Sequence, residues 1–323
     1  MNECKGMESH LTEFSGLVSK NCIENTTVPH TAYILQVHKN PDQVNGFIDQ
    51  IISEEQADVF VHIDKKTHNE LCRKILNNPN VEVLDENIDV KWGDISQVDA
   101  TILLLKKVLD KQKSYDFVCL RSGQDLLVKN GFRDFLLNNK NKIFMTATHI
   151  ERSNSDVAFQ NISWPKVARK QYNVFHPFRV FRRIIMRLYG WGFNIFPNPY
   201  KLPEEFSLYH GSSWFCIPLN IARYIIDFLE RNEWYYDAFK NALCPDEWFF
   251  QTIIMNSEYK SQVVNNNLIY LRWGQTFKNR NHPITFTLED INSIESSDQY
   301  FARKFDQNFD NSVIEYFINR IKI

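Results

Sequence analysis

The sequence predicts an α/β fold with a Rossmann-like, mostly parallel central sheet flanked by helices. Three observations carry this. Short apolar runs alternate with helical patterns from Tyr33 to Ser122, and those runs are too uniformly apolar for strands with one wet face. The chain also has 323 residues, 43% of them hydrophobic, enough for a substantial core.

In order, YILQV (Tyr33–Val37) reads as a strand, NPDQVNGFIDQIIS as a helix entered through Asn40 and Pro41, and DVFVHID (Asp58–Asp64) as a second strand. These form one βαβ unit. NELCRKILNN then predicts a helix, Val81–Leu84 a strand, SQVDATILLLKKVLDKQ a helix from near Ser96, and Asp116–Ser122 a strand. In such a sheet ligands bind at the carboxyl ends of the strands, which gathers Asp64, the turn Lys91–Asp94 and the loop Ser122–Asp125 around one cleft.

Past about residue 145 the alternation fades, and residues 169–201 become basic and aromatic together. This insertion reads as a helix with solvated arginines, as an interfacial segment resting on anionic lipid, or as a contact for the acceptor. The pattern returns with a strand at SSWFCI, helices at IARYIIDFLERN and DEWFFQTIIMNS, and a strand at NLIYLRW. Residues 1–28 are polar and aperiodic, so they read as a flexible leader before a single domain, 29–323.

Aromatics reach 14%, with 25 Phe, 13 Tyr and 7 Trp, which suits a site that grips ring-shaped ligands such as sugars. A net charge of -2 supplies no general field for nucleic acid. The six cysteines (Cys4, Cys22, Cys72, Cys119, Cys216, Cys244) form no Cys-x-x-Cys pair and read as reduced core thiols. The polar start lacks the basic end and apolar run of a secretory signal, and no run of about 18 apolar residues could span a bilayer. A soluble, cytoplasmic protein is expected, with peripheral membrane contact left open.

Chemistry concentrates in three segments. In Cys244-Pro245-Asp246-Glu247-Trp248, two acids follow a proline suited to a helix start. Carboxylates there also complement the helix dipole with no further role, yet a rigidly held Glu is what a base for a sugar hydroxyl requires. In Arg121-Ser122-Gly123-Gln124-Asp125, Gly123 permits a sharp turn and Gln124 and Asp125 could hold hydroxyls, or the loop is just a turn. The third segment sets Arg272, Lys278, Arg280, His282 and Lys304 among aromatics, as phosphate ligands or as exposed cations. No Asp-x-Asp, Walker loop, HExxH or GxSxG is present.

Taken together, AYILQVHKN, VFVHIDKK, VKWGDISQVDAT, LRSGQDLLVK, HGSSWFCIP, PDEWFFQTIIMNS and HPITFTLEDINSIESSDQYFARKFD resemble the core-2/I-branching β-1,6-N-acetylglucosaminyltransferases and the related peptide O-xylosyltransferases, in bacterial form. The resemblance spans roughly residues 30–310. It implies a GT-A-type glycosyltransferase fold and inverting, metal-independent transfer from a UDP-sugar, consistent with the missing Asp-x-Asp. It makes Glu247 the catalytic base and Lys304 a diphosphate ligand, with Arg280 or Arg272 as the second cation and Asp64 and Val37 on the nucleotide side. Gln124, Asp125, Ser213, Trp214, Asp246 and Trp92 fall on the sugar or acceptor side, and no metal ligand is implied.

The implied function is transfer of a sugar, GlcNAc first, to an acceptor hydroxyl in bacterial surface polysaccharide or glycan synthesis. The acceptor is then a glycan or lipid-linked saccharide met at the inner membrane face. Alternatives are xylose or galactose as donor sugar, or a non-catalytic nucleotide-sugar or carbohydrate binder. A glycoside hydrolase would need a second facing carboxylate, for which no segment is a credible source. The Golgi anchor and disulfides of the animal members are not visible in the sequence, so their acceptors do not carry over.

Overall fold

The computed structural model describes residues 30–53, 57–276 and 282–321. The first half runs β1 (Thr31–Val37), α1 (Pro41–Ile52), β2 (Ala57–Ile63), α2 (His68–Leu71), β3 (Val81–Val83), α3 (Ser96–Leu109), β4 (Phe117–Ser122), β5 (Leu126–Leu127), α4 (Phe132–Leu137) and β6 (Ile143–Met145). The second continues with β7 (Thr148–Ile150), α5 (Ala158–Asn161), α6 (Pro177–Gly190), β8 (Leu208–His210), β9 (Phe215–Pro218), α7 (Leu219–Arg231), α8 (Glu233–Phe239) and α9 (Phe249–Met255). Last come β10 (Val263–Asn265), β11 (Ile269–Tyr270), α10 (Ile291–Glu295), β12 (Phe301–Ala302) and α11 (Asn311–Arg320).

Seven strands form the central sheet in the order β10-β6-β9-β4-β1-β2-β3. β1 runs parallel to both β2 and β4, and β9 alone reverses, antiparallel to β4 and β6. Every residue of β2 and β4 is buried, which is why Val59–Val61 and Phe117–Leu120 are apolar without alternation. Period two survives in β1, where Tyr33, Leu35 and Val37 enter the core layer with Phe47 and Phe317. Ala32 and Ile34 point into the opposite layer, with Leu104 and Ile225. This is the expected α/β arrangement, a mostly parallel central sheet flanked by helices.

A small sheet in the order β11-β12-β5 decides where the basic tail ends up. Phe301 pairs antiparallel with Leu127, so the ARKFD segment lies beside the Ser122–Asp125 loop. The backbone of Phe305 donates to the carbonyl of Gln124 at 3.0 Å, and the Gln43 amide donates to the carbonyls of both Gly123 (3.0 Å) and Phe305 (3.2 Å).

Several expectations are corrected. The helix expected over NELCRKILNN is one turn, His68–Leu71, followed by a 3-10 turn at Cys72–Lys74. NLIYLRW keeps only Ile269–Tyr270 as strand, because Leu268 sits in the left-handed region at φ 65. DEWFFQTIIMNS is split into a 3-10 turn, Pro245–Glu247, and α9. Cys119 and Cys216 stand opposite each other on β4 and β9 and are joined as a disulfide, against the expectation of free thiols. Cys72 and Cys244 are free. The leader 1–28, Lys278 and Arg280 lie outside the described residues.

Candidate active site

Glu247 is displayed by backbone geometry that the motif alone does not reveal. Cys244 adopts a left-handed conformation (φ 51), Pro245 then sets the 3-10 turn, and Trp248 anchors it, 2% exposed. Two outside contacts hold this turn in place. The amide of Cys244 donates to the carbonyl of Gly93 at 3.1 Å, and the amide of Gly211 donates to the carbonyl of Glu247 at 2.8 Å. Gly93 needs its own freedom, at φ 72, and a Cβ at Gly211 would meet the Thr146 carbonyl oxygen at 1.8 Å.

The Glu247 side chain is 40% exposed, and its Oε2 lies 3.2 Å from Nε2 of His210, at the end of β8. The imidazole packs on the Trp248 ring with centroids 4.8 Å apart, which fixes its orientation. Asp246 beside it is differently placed. Its oxygens accept from Ser213 Oγ at 2.6 Å and Gln97 Nε2 at 3.0 Å. Burial, then the adjacent Glu247 charge, push its carboxyl well above the usual carboxylate range. With both Asp246 oxygens engaged, Glu247 is the carboxylate with access to a ligand.

Glu247 opens on a cavity of about 790 Å³ whose wall includes Trp92, Tyr172, Trp273 and His282. Trp92 and Trp273 are 40% and 52% exposed. A cavity of about 850 Å³, lined by residues such as Asp49, Asn78 and Asn319, lies near the amino ends of β2 and β3. It brings no second titratable group to Asp49 and no ligand-bearing strand end, so size alone does not make it the site.

Lys304 is not among the residues lining the Glu247 cavity, although its charge reaches His282, which is. The charges of Lys304 and Arg179 both bear on His282, whose imidazole pKa is lowered by burial and then by these two cations. Burial, then Lys39 and Arg303, hold the Lys304 ammonium below the ordinary lysine range.

Other expected site residues are placed elsewhere or already engaged. Asp125 is 0% exposed; it accepts from the Ser122 amide (2.9 Å) and hydroxyl (3.0 Å) and faces Arg303 at 3.6 Å, so it braces the loop rather than meeting a sugar. Gln124 is 5% exposed, and its amide donates to the Phe305 carbonyl at 3.3 Å. Arg272 is paired with the buried carboxylate of Asp290, which removes it as the ready diphosphate cation. Val37 is a core residue whose carbonyl accepts the Asp64 amide at 2.8 Å. Asp64 keeps its expected place at the end of β2, ion-paired with Lys66 at 3.0 Å. Ser213 reaches the site only through Asp246, and Trp214 lies under the Arg303 guanidinium at 4.2 Å.

Sequence reasoning missed His210 and Gln97. Neither carries a local signal: His210 is preceded by an ordinary LY pair and Gln97 is an early residue of α3, and only the tertiary fold brings them to Glu247 and Asp246. For the α6 arginines, where the sequence leaves solvent, lipid or acceptor contact open, the structure shows that Arg179, Arg182, Arg183 and Arg187 line the Glu247 cavity.

The mostly parallel sheet and the aromatic-lined cavity on which Glu247 opens define an α/β protein with a carboxylate-bearing pocket. A family model described as Core-2/I-Branching enzyme matches residues 31–298, and the chain belongs to that family. It is similar to a xylosyltransferase of Ciona intestinalis, 21% identical over 307 residues that cover 88% of this chain and 33% of that protein. It is also similar to xylosyltransferase oxt of Drosophila melanogaster, 22% identical across 95% of this chain and 35% of that protein. The chain spans about a third of the length of these curated relatives. Apo mouse xyloside xylosyltransferase 1 aligns with a TM-score of 0.35 at 10% identity, covering 84% of this chain and 97% of that one.

Proposed function

We propose that the chain is an inverting, metal-independent glycosyltransferase that moves a sugar from UDP to an acceptor hydroxyl in bacterial surface polysaccharide or glycan synthesis. The reaction is one displacement. The acceptor oxygen attacks the anomeric carbon, its proton goes to Glu247, the bond from that carbon to the diphosphate oxygen breaks, and UDP leaves. Lys304, with Arg280 as the second cation, carries the charge growing on the diphosphate. Asp64 lies on the nucleotide side, at the carboxyl end of a parallel strand.

The observation that carries this reading is the Glu247 carboxylate, 40% exposed beside His210 in an aromatic cavity whose His282 feels the Lys304 charge. GlcNAc is the first donor sugar to test. Xylose is the second, favoured by relatives that are named xylosyltransferases. A panel of UDP-sugars scored for slow release of UDP tests the reading: release from one donor, unchanged by EDTA, supports it. Binding of UDP without turnover of any donor would instead favour a non-catalytic binder.

The proposed location is the inner membrane face; the exposed apolar surface supports the membrane contact, while the Cys119–Cys216 bond stands against a cytosolic location. Support comes from the exposed large hydrophobic side chains: nine of the thirteen among the described residues fall between Val167 and Tyr200. Val180 and Ile184 on the outer side of α6, and Trp191 beyond it, could enter a bilayer interface. No helix among the described residues is long and apolar enough to cross a membrane. Substituting Ile184 and Trp191 by Ser should abolish binding to anionic vesicles; unchanged binding would remove the membrane contact from the proposal.

A further inference from the structure

Helix α6 presents three different faces. Ile185, 1% exposed, and the partly buried Phe181 and Tyr189 pack into a small core with Trp164 and Leu243. Val180 and Ile184 face outward. Between these two faces, Arg179, Arg182, Arg183 and Arg187 follow the helical spacing of i, i+3, i+4 and i+8 and line the Glu247 cavity.

The four arginines do not share one role. Arg182 is structural: its guanidinium donates to the Ala168 carbonyl at 3.3 Å and lies 5.4 Å from the Trp92 ring centre. It thereby holds that ring at the cavity wall. Arg179 donates to the Tyr172 carbonyl at 3.0 Å. Arg187 lies 5.4 Å over Trp191, and both Arg183 and Arg187 are exposed. Against these four cations the cavity wall holds a single carboxylate, Glu247, which the reaction uses as a base.

A cavity lined by guanidinium forks and flat indole faces is built for a particular kind of ligand. Guanidinium groups bind carboxylate or phosphate in bidentate fashion, and aromatic faces stack on the apolar faces of sugar rings. A neutral saccharide would offer no counter-charge to the exposed Arg183 and Arg187. The donor diphosphate is not the natural partner either, since its proposed ligand Lys304 is not part of this wall.

We propose that Arg183 and Arg187, with Arg179 behind them, bind an anionic group on the acceptor saccharide, a uronate carboxylate or a sugar phosphate, next to the sugar whose hydroxyl faces Glu247. This rests on the transferase reading for the identity of the acceptor, but the binding itself can be measured without turnover. Calorimetry with a galacturonate trisaccharide, its neutral galactose counterpart and a phosphorylated galactose trisaccharide reads it directly. At least one anionic probe should bind ten-fold or more tightly than the neutral one, and which of them does so separates carboxylate from phosphate. The Arg183→Ala/Arg187→Ala double variant should lose that preference, and Arg183→Lys should restore part of it.

Equal affinity for all three probes, or a preference that survives in the double variant, overturns the proposal. So does a double variant that loses binding to anionic vesicles while keeping the saccharide preference, because the arginines would then serve the bilayer. The transferase reading fails separately, if the wild-type protein releases UDP from no UDP-sugar.

Discussion

Glu247 and His210 stand 37 residues apart in sequence, and their side chains meet at 3.2 Å at the wall of the same cavity. His210 reaches that point because β8 pairs with β7, and Glu247 because the Gly211 amide grips its carbonyl. The carboxylate is thus oriented by a neighbour that itself packs edge-on against Trp248. Glu247→Gln should lower turnover by a factor on the order of 10² to 10⁴, with UDP affinity unchanged. His210→Ala should lose less, since it misorients the base without removing it. Single-turnover rates beside UDP titrations check both, and full activity of Glu247→Gln would sink the assignment.

Asp246 titrates in the opposite sense from a salt-bridged acid. Its folded pKa is raised by burial and by Glu247, so its contribution to stability is present at low pH and lost as pH rises through that raised value. Asp246→Asn should therefore be more stable than the wild type at neutral and alkaline pH, on the order of 1 kcal/mol, with the gap closing toward pH 4. Urea midpoints measured across that range decide it; a gap that widens in acid contradicts the sign.

In the proposed mechanism Lys304 binds diphosphate in its protonated form, and its pKa is lowered by burial, Lys39 and Arg303. The kcat/KM for the donor should accordingly fall on the alkaline side at a lower pH than an ordinary lysine would give. Lys304→Arg should move that fall upward, because guanidinium keeps its proton. Lys304→Ala should raise the donor KM about ten-fold or more, as expected for loss of a charge-assisted contact. An alkaline limb unmoved in the Arg variant would count against the role.

Gly211→Ala drives a methyl group into the Thr146 backbone and should cost about 3 kcal/mol or prevent folding. Gly190→Ala, at the end of α6, meets nothing within 4 Å and should leave the melting temperature unchanged or slightly higher. Thermal unfolding of the pair separates steric need from general sensitivity to substitution. Equal melting curves would show that the Gly211 backbone can yield.

Cys119 and Cys216 are both 0% exposed and bonded across β4 and β9. Peptide mapping after alkylation without reductant should find these two linked and Cys72 and Cys244 alkylated. Such bonds persist in oxidising compartments and are rare in the cytosol. Recovery of the linked peptide from intact cells would count against cytoplasmic placement, whereas two free thiols would correct the bond.

The sheet was legible because its strands are buried on both faces, so β1, β2 and β4 announce themselves as apolar runs between helical patterns. Helix ends were less so: Cys244 and Leu268 are non-glycine residues in left-handed conformations, which local sequence gives no reason to expect. The loop at Gln124 and Asp125 looked like a ligand site because polar groups near a glycine serve bracing and binding equally well. Only their partners, Phe305 and Ser122, show which use was made of them.

What the sequence determined by itself was the α/β class, the family and Glu247 as the catalytic candidate, because periodicity and motif are properties of neighbouring residues. The tertiary structure alone decided that His210 orients Glu247, that Asp290 engages Arg272, and that the α6 arginines face a cavity as well as solvent. Direction and partnership in space depend on segments far apart in the chain, and side-chain composition is the same whichever way a helix is turned.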